Sequence, residues 1–119
     1  MQTYDVSRGQ TAVFRITIKR NGRALDVSDY DLFRLDIGIA NTQTVVVTKS
    51  TATSGEGEIS GDETGLVLFY LTSADTLSLK AAEYVAQVWG KRGADRPFVR
   101  WPECSVVLRM CQPLGSPPA

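Results

Sequence analysis

The residues best equipped for chemistry stand together near the C-terminal end, in WGKRGADRPFVRW at positions 89–101. Trp89, Lys91, Arg92, Arg96, Phe98, Arg100 and Trp101 all fall inside this stretch. What they offer is contact, not bond-making. Tryptophan and arginine combine large area with directional donors and dominate the energetics of protein interfaces, and an arginine over an indole face adds a cation–π attraction. Trp89, Arg92, Arg96, Phe98, Arg100 and Trp101 are therefore the candidate protein interface. The competing reading is that both tryptophans plug the ends of the fold while the arginines stand in water.

Two smaller clusters carry charge. In TIKRNGRALD, positions 17–26, Lys19, Arg20 and Arg23 surround Asn21-Gly22. Asn-Gly favours a two-residue type I′ hairpin turn, whose side chains splay into water and discourage edge-to-edge strand pairing. A solvated tip is the expectation and an acidic protein neighbour the alternative, with DNA last because no aromatic platform for stacking bases lies among them. In GEGEISGDETG, positions 55–65, Glu56, Glu58, Asp62 and Glu63 could offer oxygens to calcium. Their spacing fits no EF-hand loop, so no metal and no cofactor is expected.

The ingredients for catalysis are poor. Histidine is absent from all 119 residues, which removes the commonest general base and the usual zinc ligand. There is no GxSxG, Walker or GxGxxG motif, and the paired carboxylates lie only in a glycine-rich loop that would not hold them in a shared apolar pocket. A non-enzyme is expected. Thirteen basic residues balance thirteen acidic ones, whereas a general nucleic-acid binder needs surplus cation to displace counterions from phosphates, so no nucleic acid is expected as a partner. Cys104 and Cys111 lie seven positions apart in one apolar run. In an extended strand that spacing separates them by more than ~20 Å, too far for a disulfide, and unpaired thiols suit a reducing compartment. The N-terminus lacks a signal-peptide pattern and no run of about 18 apolar residues exists. The expectation is a soluble protein made in a cytoplasm, without a membrane partner.

The elements that must position these residues read as strands. Apolar residues make up 43% of the chain and charged residues 22%, a globular composition. In residues 11–20, Ala12, Phe14, Ile16 and Ile18 alternate with Thr11, Arg15, Thr17 and Lys19, the period of a half-buried strand. Residues 32–39 alternate again, with Phe33, Leu35, Ile37 and Ile39 inward against Arg34 and Asp36. Residues 42–50, 66–72, 84–91 and 105–111 read as further strands, with a short one around Ile59 and a single short helix within 73–83. The stretch at 66–72 is apolar on both faces, as in a strand covered on both sides or lying at a subunit contact. Regular spacing of seven to eight short strands predicts an all-β, immunoglobulin-like antiparallel β-sandwich over residues 1–112, followed by a proline-rich tail at 113–119. Tyr84 stands where such a fold places its tyrosine corner, the alternative being a plain core aromatic.

The opening DVSRGQTAVFRITIKRNGRALDVSDYD resembles the N-terminal immunoglobulin-like domain of phage baseplate upper proteins. Arg8 to Thr11 match an RGDT element of that family, Asn21-Gly22 its glycine turn, and Leu25 to Ser28 a following LDLSG-like segment. Leu71, Thr72, Asp75, Thr76 and Tyr84 match a later pattern. Gln10 replaces the usual acid, and Ala82 stands where the family has a glycine. The resemblance spans roughly residues 3–112 and implies a structural virion protein of a bacteriophage, located in the tail, baseplate, neck or head decoration. Its implied partners are other virion proteins and copies of itself, without the long fibre segment of a full baseplate arm. A glycan- or host-surface-binding module using Trp89 and Trp101 is the alternative function.

Overall fold

The computed structural model describes residues 2–61, 65–93, 97–101 and 105–111. Along the chain run strands β1 (Gln2–Ser7), β2 (Ala12–Thr17), β3 (Lys19–Arg20), β4 (Arg23–Ala24), β5 (Leu32–Ile39), β6 (Val45–Ser50), β7 (Gly57–Gly61) and β8 (Leu66–Leu71). Helix α1 (Ser73–Ser78) follows, then β9 (Glu83–Lys91), β10 (Val99–Arg100) and β11 (Val106–Cys111). The fold is all-β. A larger sheet has the order β1-β11-β9-β5-β6, with β10 pairing the far end of β9. A smaller sheet has the order β2-β8-β7, and β3-β4 is a separate ribbon.

The alternation seen in the sequence sets which faces meet. Phe14 and Ile16 from β2, with Val67, Phe69 and Leu71 from β8, join Leu35, Ile37, Ala86, Val88 and Leu108 of the larger sheet in one hydrophobic cluster. This arrangement is compatible with a β-sandwich, in which two inner faces interdigitate. On β8 the outward-facing Leu68 is also nearly buried, between its cross-strand neighbours Arg15 and Glu58.

Three expectations need correction. The pairing is not purely antiparallel, because β1 runs parallel to β11, with Tyr4 opposite Leu108 and Val6 opposite Met110. Strand β1 was not anticipated from its short, mostly polar sequence, and the two-residue strands β3, β4 and β10 raise the number above seven or eight. Ile39 is 42% exposed and not buried; it keeps its register opposite Tyr84 but stands at the last position of β5, where the strand ends. The turn at Asn21-Gly22 holds positive φ at both residues, 53° and 77°, as a type I′ turn requires. Tyr84 is buried, and its hydroxyl donates to the Lys80 carbonyl at 3.0 Å.

Helix α1 is short and depends on its cap. Thr72 accepts from the Asp75 amide while the Asp75 carboxylate accepts from the Thr72 amide, a reciprocal capping box. The same carboxylate meets the nearly buried Lys49 ammonium of β6 at 2.7 Å. Thr76, fully buried, accepts from the Gly9 amide at 3.0 Å and donates to the Gln10 carbonyl at 2.8 Å. Arg8 donates to the Leu77 carbonyl at 2.8 Å. The two polar motifs singled out in the sequence, at 8–11 and 71–76, therefore close on each other in space.

Candidate interaction surface

Parity along β9 decides what its tryptophan does. Tyr84, Ala86, Val88 and Gly90 point inward, so Val85, Gln87, Trp89 and Lys91 line the outer face of the larger sheet. Trp89 lies directly opposite Arg34 of β5 on one side and Arg100 of β10 on the other. The Arg34 guanidinium sits 4.6 Å from the Phe98 ring centroid and 5.7 Å from that of Trp89. Lys91 approaches Phe98 from 5.3 Å. Asp36 orients Arg34 through a 3.1 Å ion pair and takes a 3.2 Å hydrogen bond from the Thr48 hydroxyl. These distances are ordinary for cation–π contacts.

The arrangement leaves hydrogen-bonding capacity unused. The Arg34 Nε and the Trp89 Nε1 are both shielded from solvent and have no hydrogen-bond partner. An unsatisfied shielded donor costs about 1–3 kcal/mol, and both occur on this face, within one cluster.

Of the six predicted interface residues, the structure gathers Trp89, Phe98 and Arg100 on the outer face. Arg92 is exposed nearby, its guanidinium 5.1 Å from the Tyr30 ring centroid. Arg96 lies outside the described residues. Trp101 does not belong to the surface: it is 4% exposed, 5.4 Å from Tyr30 and 5.8 Å from Phe33 between ring centroids. Gly90 makes room for it, since a Cβ there would fall 2.6 Å from the Trp101 ring and 2.7 Å from that of Phe33. One tryptophan is thus core and the other is surface. Arg34 is the contact residue that sequence reasoning missed. Its outward parity was legible, but its neighbours Trp89 and Phe98 lie more than fifty positions away.

Beside Trp89 the outer face dips into a groove of about 520 Å³. Its lining includes Gly38, Val85, Gln87 and Trp89 from the sheet, Arg100 from β10, and the turn at residues 41–44. The lining mixes one aromatic ring with amide and hydroxyl groups.

The other two clusters resolve differently. Lys19, Arg20 and Arg23 are exposed on the β3–β4 ribbon, with Arg20 and Arg23 directly opposite each other. Glu56 accepts from the Ser50 amide at 3.1 Å and Glu58 from the Tyr70 hydroxyl at 2.6 Å. The Glu58 contact raises the Tyr70 pKa. Asp62 and Glu63 lie outside the described residues, as do Cys104 and the tail at 113–119. Among the described residues no group of three or more histidine, cysteine or acidic side chains is placed to hold a metal ion. No described helix is long and apolar enough to cross a membrane.

A scan against models of known protein families and a search of curated proteins each return no match for this sequence.

Proposed function

We propose that this chain is an immunoglobulin-like structural module of a bacteriophage particle, in the tail, baseplate, neck or head decoration, that works by contact and not by catalysis. The observation carrying the contact role is the outer face built on Arg34, Trp89, Phe98 and Arg100, where rings and guanidinium groups gather. The strand order supports the immunoglobulin-like reading. On that reading β2, β8 and β7 would correspond to strands B, E and D of a variable-type domain, and β11, β9, β5 and β6 to G, F, C and C′. The Tyr84 hydroxyl bond to the Lys80 carbonyl supports it too. The phage assignment comes from the motif resemblance at Arg8–Thr11, Leu71–Thr76 and Tyr84. The mechanism would be burial of a standard interface of about 1,600 Å² between neighbouring proteins. Mass spectrometry of intact particles purified from a lysate of the host tests it: the chain should be present in stoichiometric amount. Its absence from particles would defeat the reading.

The groove beside Trp89 favours a second reading, recognition of a glycan or host-surface molecule by stacking on the indole with hydrogen bonds from Gln87 and the 41–44 turn. Binding of the purified protein to a glycan array, lost in Trp89→Ala, would support it.

A further inference from the structure

Sheet edges are where a β-protein is open to pairing, and among the described residues three of the four outermost strands of the two main sheets are guarded. Strand β1 places Asp5 at its exposed edge. On β2 the open edge is plugged by the Tyr4 hydroxyl, which accepts from the Arg15 amide at 3.2 Å and donates to the Arg15 carbonyl at 3.1 Å. On β7 stands the exposed side of Glu58, bonded to Tyr70. Charges and plugs of this kind are how folded proteins block edge pairing.

The fourth edge, β6, is guarded along only half its length. At its C-terminal end the Ser50 amide is taken by Glu56, and Lys49 turns inward to Asp75. At its N-terminal end there is no charge or plug, and the one irregularity is the bulge that leaves Val46 without a partner on β5. Residues 37–48 carry no charge. The register shift against Ile37 and Gly38 brings two consecutive valines out, so Val45 is 50% exposed and Val46 42%, next to Ile39 at 42%. No strand of the described residues lies beyond β6.

The segment is also its own complement. Thr44-Val45-Val46-Val47-Thr48 reads the same in both directions. Laid antiparallel on itself about Val46, it sets threonine opposite threonine and valine opposite valine, pairs that stabilise a sheet. Lys49 then falls opposite Gln43, so no like charges meet. A two-fold axis needs such a self-complementary patch. From the open edge, the exposed valines and this symmetry we infer that β6 pairs antiparallel with β6 of a second copy, joining two larger sheets into one continuous sheet. The inference deepens the assembly reading by naming one of its partners, a second copy, and the surface that copy meets.

Analytical ultracentrifugation of the full chain tests it. The wild type should sediment as a dimer at twice the 13.0 kDa chain mass, and Val46→Lys should sediment as a monomer with an unchanged circular dichroism spectrum. Val46→Cys in a Cys104→Ser, Cys111→Ser background should form a disulfide-linked dimer on mild oxidation, whereas Val99→Cys in that background, at least as exposed on β10, should not. The crosslink decides the matter if Val46→Lys does not fold. A wild type that stays monomeric up to millimolar concentration, a dimer that survives Val46→Lys, or crosslinking equal at both positions would overturn the inference. A monomer that still enters particles would overturn only the edge contact, and a dimer absent from particles would overturn only the assembly reading.

Discussion

The junction around Thr76 and the outer face around Trp89 are both rich in polar side chains, yet they treat them in opposite ways. At the junction the hydroxyl of Thr76 both accepts and donates, the Asp75 carboxylate serves the Thr72 amide and Lys49, and Arg8 reaches the Leu77 carbonyl. These groups face the protein's own backbone. On the outer face, Arg34 and Trp89 keep donors that nothing satisfies, although rings and cations crowd around them. The contacts of Thr76 and Asp75 are made within the fold and help to specify one conformation, while a shielded donor without an acceptor costs stability without return to the isolated fold. The comparison teaches that Thr76 and Asp75 of the motif hold the chain together, while the outer face around Trp89, which the motifs do not reach, is the surface proposed for a neighbour.

Asp75→Ala should do the most damage, because it removes the capping box and strands the ammonium of Lys49, a residue 8% exposed. Breaking a buried pair in this way costs about 3–5 kcal/mol, measurable by urea denaturation at neutral pH. The pair also predicts an acid sensitivity. Burial works to raise the Asp75 pKa, but hydrogen bonds from Lys49 and Thr72 outweigh it and hold the carboxyl below its usual range. Its contribution is therefore fully present above the unfolded pKa of about 3.9, and is lost as pH falls through the lower folded value. Melting temperature should fall in that acid window for the wild type, and by less in Asp75→Asn.

Thr76→Val keeps the shape of the side chain and deletes its hydroxyl, leaving the Gly9 amide without its acceptor. A loss of about 1–3 kcal/mol is expected. Trp89→Phe is the matched deletion on the outer face, since it also removes a polar group and keeps most of the ring. Because that N–H has no partner, its removal breaks no hydrogen bond and relieves a shielded donor, which offsets the ring area lost, so stability should fall by clearly less than in Thr76→Val. Equal losses from the two deletions would dissolve the distinction between the regions.

The strands with strong alternation were legible because period two follows directly from the geometry of a strand. Phe33, Leu35 and Ile37, and equally Tyr84, Ala86 and Val88, are buried as their parity requires. The same parity carries Trp89 outward. Trp101 lies beyond the end of that strand, so nothing local fixed its direction, and its burial depends on the space left at Gly90 by a missing side chain. The parallel pairing of β1 with β11 and the meeting of Arg34 with Phe98 join residues far apart in the chain. Such contacts are set by sheet order, which periodicity does not encode. The motif at 71–76 was visible as a helix cap at Asp75, but the role of Thr76 as the anchor of residues 9 and 10 needed the fold.

Hydroxyl-radical footprinting of side chains, in the isolated protein and in intact particles, tests the central claim most directly. Trp89 and Phe98 should be oxidised in the isolated protein and protected in particles, with Trp101 protected in both. Equal oxidation of Trp89 and Phe98 in the two states, with protection appearing instead on the β3–β4 ribbon, would contradict the account.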